Sequence, residues 1–169
     1  MPFTPPAVDD VLAALAERFG PVESSVFRGQ TRIVVPAEES FDVLRFLADA
    51  GFDLLVDVTC VDYLEYRGAR RRYGLVYLLA STSTNQRLTV RVFADDPEPA
   101  VRSVVPIWEA ANWLEREVWD MFGIRFTGHP DLRRLVMPEE FAAHPLRKDY
   151  PLQGRGERHN FPVITRDHS

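Results

Sequence analysis

At 169 residues, with 46% hydrophobic and 27% charged side chains, the chain has the size and make-up of one globular domain with a real core. Its formal net charge of −5 argues against a nucleic-acid binder, which carries a basic excess. No apolar run approaches the roughly 20 residues of a membrane-spanning helix, the start Met-Pro-Phe-Thr-Pro-Pro is not expected to be a signal peptide, and the single cysteine, Cys60, makes neither an internal disulfide nor a cluster site and fits a reducing cytosolic setting.

Val8, Val11, Leu12, Leu15 and Phe19 recur at helical spacing and stop at Gly20-Pro21, which predicts a first helix. Residues 22–28 and 31–35 read as two strands around a turn at Gly29-Gln30. Phe41, Val43, Leu44, Phe46 and Leu47 predict a second helix, opened by Glu38 and Glu39 and closed by Gly51. Three strands follow. Leu54, Val56, Val58 and Cys60 are expected to share one face of the first, and Tyr73, Leu75, Tyr77 and Leu79 one face of the second. Leu88, Val90 and Val92 alternate with Arg87, Thr89 and Arg91 on the third, so one face of the sheet is wet. The loop 65–72 is charged, and the polar turn 81–85 suits an antiparallel hairpin. The order α-β-β-α-β-β-β, with a further C-terminal helix, is an α+β pattern: two layers, with helices on one face of a mostly antiparallel or mixed sheet.

The densest chemistry lies at residues 115–136. Starting near Ile107, the positions Ala110, Trp113, Leu114, Val118 and Met121 form an apolar helical stripe. Glu117 falls inside that stripe, where an unpaired carboxylate would cost several kcal/mol, so a buried cation is expected beside it. Glu115 is expected on a different side. Arg116 and Asp120, four apart, are placed to bridge along the surface for about 0.3–0.5 kcal/mol. Trp119, and Phe122 in part, point away from the stripe and call for a second packing surface, within this domain or on another protein. Gly123 stops the helix, and a short apolar strand follows. A turn at His129-Pro130-Asp131 and the pair Arg133-Arg134 come next.

After about Pro138 the periodicity fails. Residues 144–169 carry a net charge of +2 against −7 for residues 1–143. Single apolar residues there, Leu146, Tyr150, Leu152, Phe161, Val163 and Ile164, are too frequent for a simple solvated tail. A frayed terminus is one reading; an extended arm laid across a neighbouring subunit is the sharper one. The organisation expected is a domain at 1–143 and an arm at 144–169.

No reactive centre emerges. Acids on separate helix faces do not easily converge on one substrate, which favours structural roles for Glu115, Glu117 and Asp120 over acid–base or metal chemistry. His129 and His144 each precede a proline, and neither His-x-x-x-His nor Cys-x-x-Cys occurs. Ser24-Ser25 and Ser81 lack a nucleophile-elbow context, and Gly154-Arg155-Gly156 lacks the strand–helix setting of a phosphate loop. Arg133-Arg134 with Arg147-Lys148 suit an anion, but pairing to acidic neighbours is the commoner fate of such residues.

Glu115-Arg116-Glu117-x-x-Asp120-Met121-Phe122, followed by His129, Arg133, Leu135 and Val136, resembles the signature of the 30-kDa subunit, or C subunit, of NADH–quinone oxidoreductase, respiratory complex I. The run from His144 through Pro145, Leu146, Arg147, Lys148 and Asp149 to Leu152 resembles that family's second hallmark. The first hundred residues resemble it in layout more than in letters. The resemblance implies a chain with no cofactor of its own, inside an assembly that uses FMN, iron–sulfur clusters, NADH and quinone and couples electron transfer to proton translocation. It implies partners in the quinone-pocket (49-kDa) subunit and the cluster-bearing subunits. It also implies a peripheral place on the cytoplasmic side of the cell membrane, reached only through the complex. Interface roles are then expected for Glu115, Arg116, Glu117, Trp119, Asp120, His129, Arg133, Arg134, Pro145, Leu146, Arg147, Lys148 and Asp149. Two alternatives stay open: the same module in a membrane-bound hydrogenase or an F420- or ferredoxin-linked oxidoreductase, and an independent enzyme using the acids at 115–120.

Overall fold

A computed structural model describes residues 7–156. The first helix, α1, spans Val8–Phe19 and ends at Gly20, whose φ of 88° no other residue adopts as cheaply. Strands β1 (Glu23–Phe27) and β2 (Gln30–Val35) form a hairpin over Arg28 and Gly29. Both turn residues have positive φ, the geometry that matches the twist of paired strands. Helix α2 (Ser40–Asp49) leads into β3 (Leu54–Asp62), β4 (Tyr73–Ala80) and β5 (Arg87–Ala94). These strands make one mixed sheet in the order β1-β2-β5-β4-β3, antiparallel except where β2 runs parallel to β5. A short parallel pair, β6 (Ala100–Arg102) with β7 (Arg125–Thr127), brackets helix α3 (Ala111–Phe122). The expected α+β class, with helices on one face of a mixed sheet, is what the chain adopts.

One core joins the layers. Leu15 of α1 and Leu44 and Leu47 of α2 meet Ile33, Leu75, Tyr77 and Val90 of the sheet, all fully buried. Alternation holds on β4 and β5, where Tyr73, Leu75, Tyr77, Leu79, Leu88, Val90 and Val92 all point inward. It fails on β3. A β-bulge between Leu55 and Asp57 inserts one residue, so Leu55 faces the core and Leu54 and Val56 face out. Below the bulge the expected parity returns, with Val58 and Cys60 inside and Asp62 buried after them.

Helix α3 differs from its expected form in start and in rotation. Residues 104–110 form turns instead, with Ile107 and Trp108 both donating to the Val104 carbonyl. The inward face is Ala111, Glu115, Val118 and Phe122, while Trp113 is 61% exposed. The apolar stripe puts Glu117 inside and Glu115 out; the structure has Glu115 fully buried and Glu117 on the surface. Trp113 accounts for much of the difference. It counts as apolar filling in the periodicity, but it lies under the Arg116 guanidinium, 5.0 Å from ring centroid to Cζ, and turns outward.

Candidate functional site: the clamp around the third helix

The last turn of any helix leaves carbonyls without partners, and its dipole makes that end negative. Here the chain returns to fill those sites. Gly123, at φ 76°, donates its N–H to the Trp119 carbonyl. His144 Nδ1 lies 3.0 Å from the Asp120 carbonyl oxygen. The Leu146 N–H donates to the Met121 carbonyl at 3.0 Å, and Arg147 Nε donates to the Phe122 carbonyl at 2.6 Å. A Cβ at position 123 would stand 2.6 Å from both Arg147 Nη2 and the His144 ring, so glycine is required for the closure as well as for the turn. The second hallmark is therefore a helix cap.

The first hallmark holds the preceding loop. Asp120 is 0% exposed. One of its oxygens takes Arg134; the other accepts the backbone N–H groups of Leu135, Val136 and Met137 at 3.1, 2.8 and 2.9 Å. Burial pushes this carboxyl up, but the three N–H donors and Arg134 outweigh it and hold it below the usual carboxylate range. Arg116 does not bridge to Asp120 as expected. Its Nε and Nη2 donate to the Arg133 and Arg134 carbonyls, both at 3.1 Å. Arg134 also donates to the Ala143 carbonyl and lies 5.7 Å from the Trp119 ring, which packs edge-on to His144. The second packing surface that Trp119 calls for is this returning loop. Arg133 is exposed and pairs with Asp131 at 2.9 Å.

Glu115 works on the opposite side of α3. It accepts from Ser103 Oγ at 2.6 Å and the Val104 N–H at 2.7 Å, tying the end of β6 to the helix. Burial raises its pKa to about 7 against those donors. His129 Nε2 stands 4.0 Å away, but its ring is engaged elsewhere. Nδ1 accepts from the Asp131 N–H at 3.0 Å, which leaves Nε2 as the N–H that donates to the Asn112 carbonyl at 3.1 Å. Among the described residues, no hydrogen bond or ion pair engages Glu117.

A third network escapes sequence reasoning. Asp62, buried at the end of β3, accepts from the Leu64 and Lys148 N–H groups and from Arg72. Arg72 also pairs with Asp96 and, at 2.8 Å, with Asp149. Residues 144–149, expected to belong to the arm, are thus pinned to the domain by Leu146, Lys148 and Asp149. Pro145 is partly buried within this segment, and Leu146 is half exposed. The inward parity of Asp62 after Val58 and Cys60 is a usable signal, obscured by the charges of the loop beside it.

Chemically, the carboxylates do not converge. Glu115, Asp120 and Asp62 each take separate sets of donors, and no described group of three His, Cys, Asp or Glu residues is arranged to hold a metal ion.

Comparisons with known proteins agree with one another. The profile of the family described as "Respiratory-chain NADH dehydrogenase, 30 Kd subunit" matches residues 33–156. The chain is similar to the NADH-quinone oxidoreductase C subunit of Geobacter sulfurreducens, with 43% identity over 76% of this chain and 78% of that protein. Among solved structures it is similar to "Nqo5 of the trypsin-resistant fragment (1-134) in P63 form", at TM-score 0.65 and 35% identity over 73% of this chain and 98% of that one. It also shares a fold with a chain of the membrane-bound sulfane sulfur reductase, "an archaeal respiratory membrane complex", at TM-score 0.76 and 23% identity over 94% of this chain and 93% of that one.

Proposed function

The chain belongs to the 30-kDa subunit family of respiratory-chain NADH dehydrogenase, the C subunits of NADH–quinone oxidoreductase, and on that premise we propose that it serves as a cofactor-free brace in the peripheral arm, set beside the quinone-pocket subunit. One observation carries the reading. The buried carboxylates and the arginines of the two hallmarks are spent on internal hydrogen bonds that fix α3, the loop after it and the segment 144–149. Side chains engaged in this way hold geometry. Electron transfer between centres depends on fixed separations, so a rigid neighbour contributes without a reactive group.

The surface supplies docking candidates. Val61, Leu64, Leu146 and Leu152 are large apolar residues exposed on or near the pinned segment, and Leu152 is fully open to solvent. They suit contact with the quinone-pocket and cluster-bearing subunits, the arm continuing beyond Tyr150. The trypsin resistance named for the Nqo5 fragment supports a self-standing domain. No helix among the described residues is long and apolar enough to cross a membrane; the peripheral, cytoplasmic-side position belongs to the proposal through family membership.

The fold also occurs in a chain of the sulfane sulfur reductase complex, so fold alone does not separate the NADH–quinone enzyme from a second host, a related membrane-bound hydrogenase or F420- or ferredoxin-linked oxidoreductase. The 43% identity to the Geobacter sulfurreducens protein favours the NADH–quinone enzyme. An independent enzyme using the acids at 115–120 loses its chemical basis, because Glu115 and Asp120 lie on separate donor sets and Glu117 projects to solvent.

The test is the isolated full chain. Its absorption spectrum should show neither flavin nor iron–sulfur bands, and it should not oxidise NADH. Stoichiometric flavin or iron, or turnover of NADH, would overturn the proposal.

A further inference from the structure

The helices cover one face of the sheet and leave the other open. That open face is basic, although the chain as a whole carries a net charge of −5. Arg32 of β2 and Arg87 and Arg91 of β5 occupy outward positions, opposite in parity to the buried Ile33, Leu88, Val90 and Val92. The loop between β3 and β4 adds Arg70 and Arg71 beside them. Arg70, Arg71 and Arg91 border a groove of about 570 Å³, in the size range of a real binding cleft, which Glu23 lines as its acid.

The groove has an apolar wall and unspent charge. Tyr63 and Phe93 lie with ring centroids 6.3 Å apart, and Tyr66 stacks edge-on against Tyr63 while remaining 69% exposed. Gly74 lies beneath the first two rings: a Cβ there would stand 2.8 Å from Tyr63 and 3.2 Å from Phe93. Arg71 is satisfied by Asp95. Arg91 is not, since its Nε is buried without a hydrogen-bond partner, and such a donor is costly to leave empty. No hydrogen bond or ion pair among the described residues engages Arg70. Two guanidinium groups that no acceptor among the described residues engages, beside three aromatic rings, match a ligand that brings carboxylates and an apolar side chain together.

We propose that this groove receives an acidic, extended segment of a neighbouring protein in the assembly, with carboxylates on Arg91 and Arg70 and an apolar side chain against Tyr63, Tyr66 and Phe93. The inference rests on the proposed role as a subunit of a larger assembly and names the chemistry of one contact within it. It places that contact on the opposite face of the sheet from the α3 clamp, so the domain is held from two sides.

The experiment replaces Tyr66 with photo-reactive benzoylphenylalanine in the full chain and irradiates the purified assembly. Mass spectrometry should find position 66 joined to an Asp- or Glu-bearing segment of another subunit. Charge reversal by Arg70→Glu with Arg91→Glu should cut that yield at least tenfold, with the variant's fold checked by circular dichroism. If the double variant does not fold, Arg70→Glu alone, at an exposed loop position, should lower the yield several-fold. An assembly that contains the chain but gives no cross-link at position 66 overturns the inference and leaves the proposed function standing. So does a cross-link to a second copy of this chain, to a segment without acids, or one whose yield ignores the charge reversal. A chain that purifies with no other subunit removes the proposed function and this inference together.

Discussion

Glu115 sits where proton and charge compete. Burial lifts its pKa to about 7 from 4.5, so between those values the folded chain keeps a proton that the unfolded chain has released. The stability linked to this group is therefore fully present below about pH 4.5 and is lost as pH rises through 7, a fall of about 3 kcal/mol. Asp120 and Asp62 act with the opposite sign. Burial raises both, but stronger donors hold them below the usual carboxylate value, so their contribution is present above that value and is lost as pH falls through the lowered one. Glu115→Gln should keep the Ser103 and Val104 contacts while removing the titration. In urea unfolding, the variant should gain on the parent by about 2.5 kcal/mol between pH 5 and pH 8; parallel profiles would show that Glu115 is not the titrating group. Asp120→Ala leaves three backbone N–H groups and Arg134 without their acceptor, and should cost about 3–5 kcal/mol. Glu117→Ala, at an exposed position, should change stability by no more than about 0.5 kcal/mol, although it belongs to the same sequence signature. Equal effects at 117 and 120 would contradict the assignment of these faces.

The third helix and the segment that caps it behave as one unit. Gly123→Ala forces a side chain into the left-handed region and drives its Cβ against Arg147 and His144. The expected loss is about 2 kcal/mol, with faster hydrogen exchange at the Leu146 amide; unchanged exchange there would mean that the cap does not form in solution. The same geometry sets where the chain can be shortened. Truncation after Tyr150 should leave melting nearly unchanged but remove co-purification with the partner proteins. Truncation after Ala143 should also lower stability, because it strips the partners of the Asp120, Met121 and Phe122 carbonyls. These elements also show what the amino-acid order makes legible. Strands β4 and β5 and helices α1 and α2 are readable because one apolar face and one turn signal suffice for each. Strand β3 misleads where a bulge, which leaves no compositional mark, reverses its parity at Val56. Helix α3 misleads in rotation because charged residues are buried among its apolar ones. Glu115, Arg116 and Asp120 are inside, and their acceptors and donors come from residues as far along as Val136 and Met137, distances that periodicity does not report. The hallmarks are visible as motifs, but their joint purpose, one capping the helix that carries the other, emerges only in the fold.

At the scale of the whole molecule, the domain is a sheet with two unlike faces. One is sealed by three helices and locked by hallmark side chains; the other is open, basic and grooved. Between them the segment after β7 runs back over the end of α3 and continues past exposed Leu146 to Tyr150 and exposed Leu152. That arrangement suits a part held at several points by larger neighbours, and membership of the 30-kDa subunit family says which neighbours to seek. The most direct measurement is purification of the tagged full-length chain from native membranes, with the accompanying proteins identified by mass. The account predicts a stoichiometric set of peripheral-arm subunits that includes the quinone-pocket subunit and an NADH-binding flavin subunit. Recovery of the chain alone, or with no respiratory subunit, would contradict it.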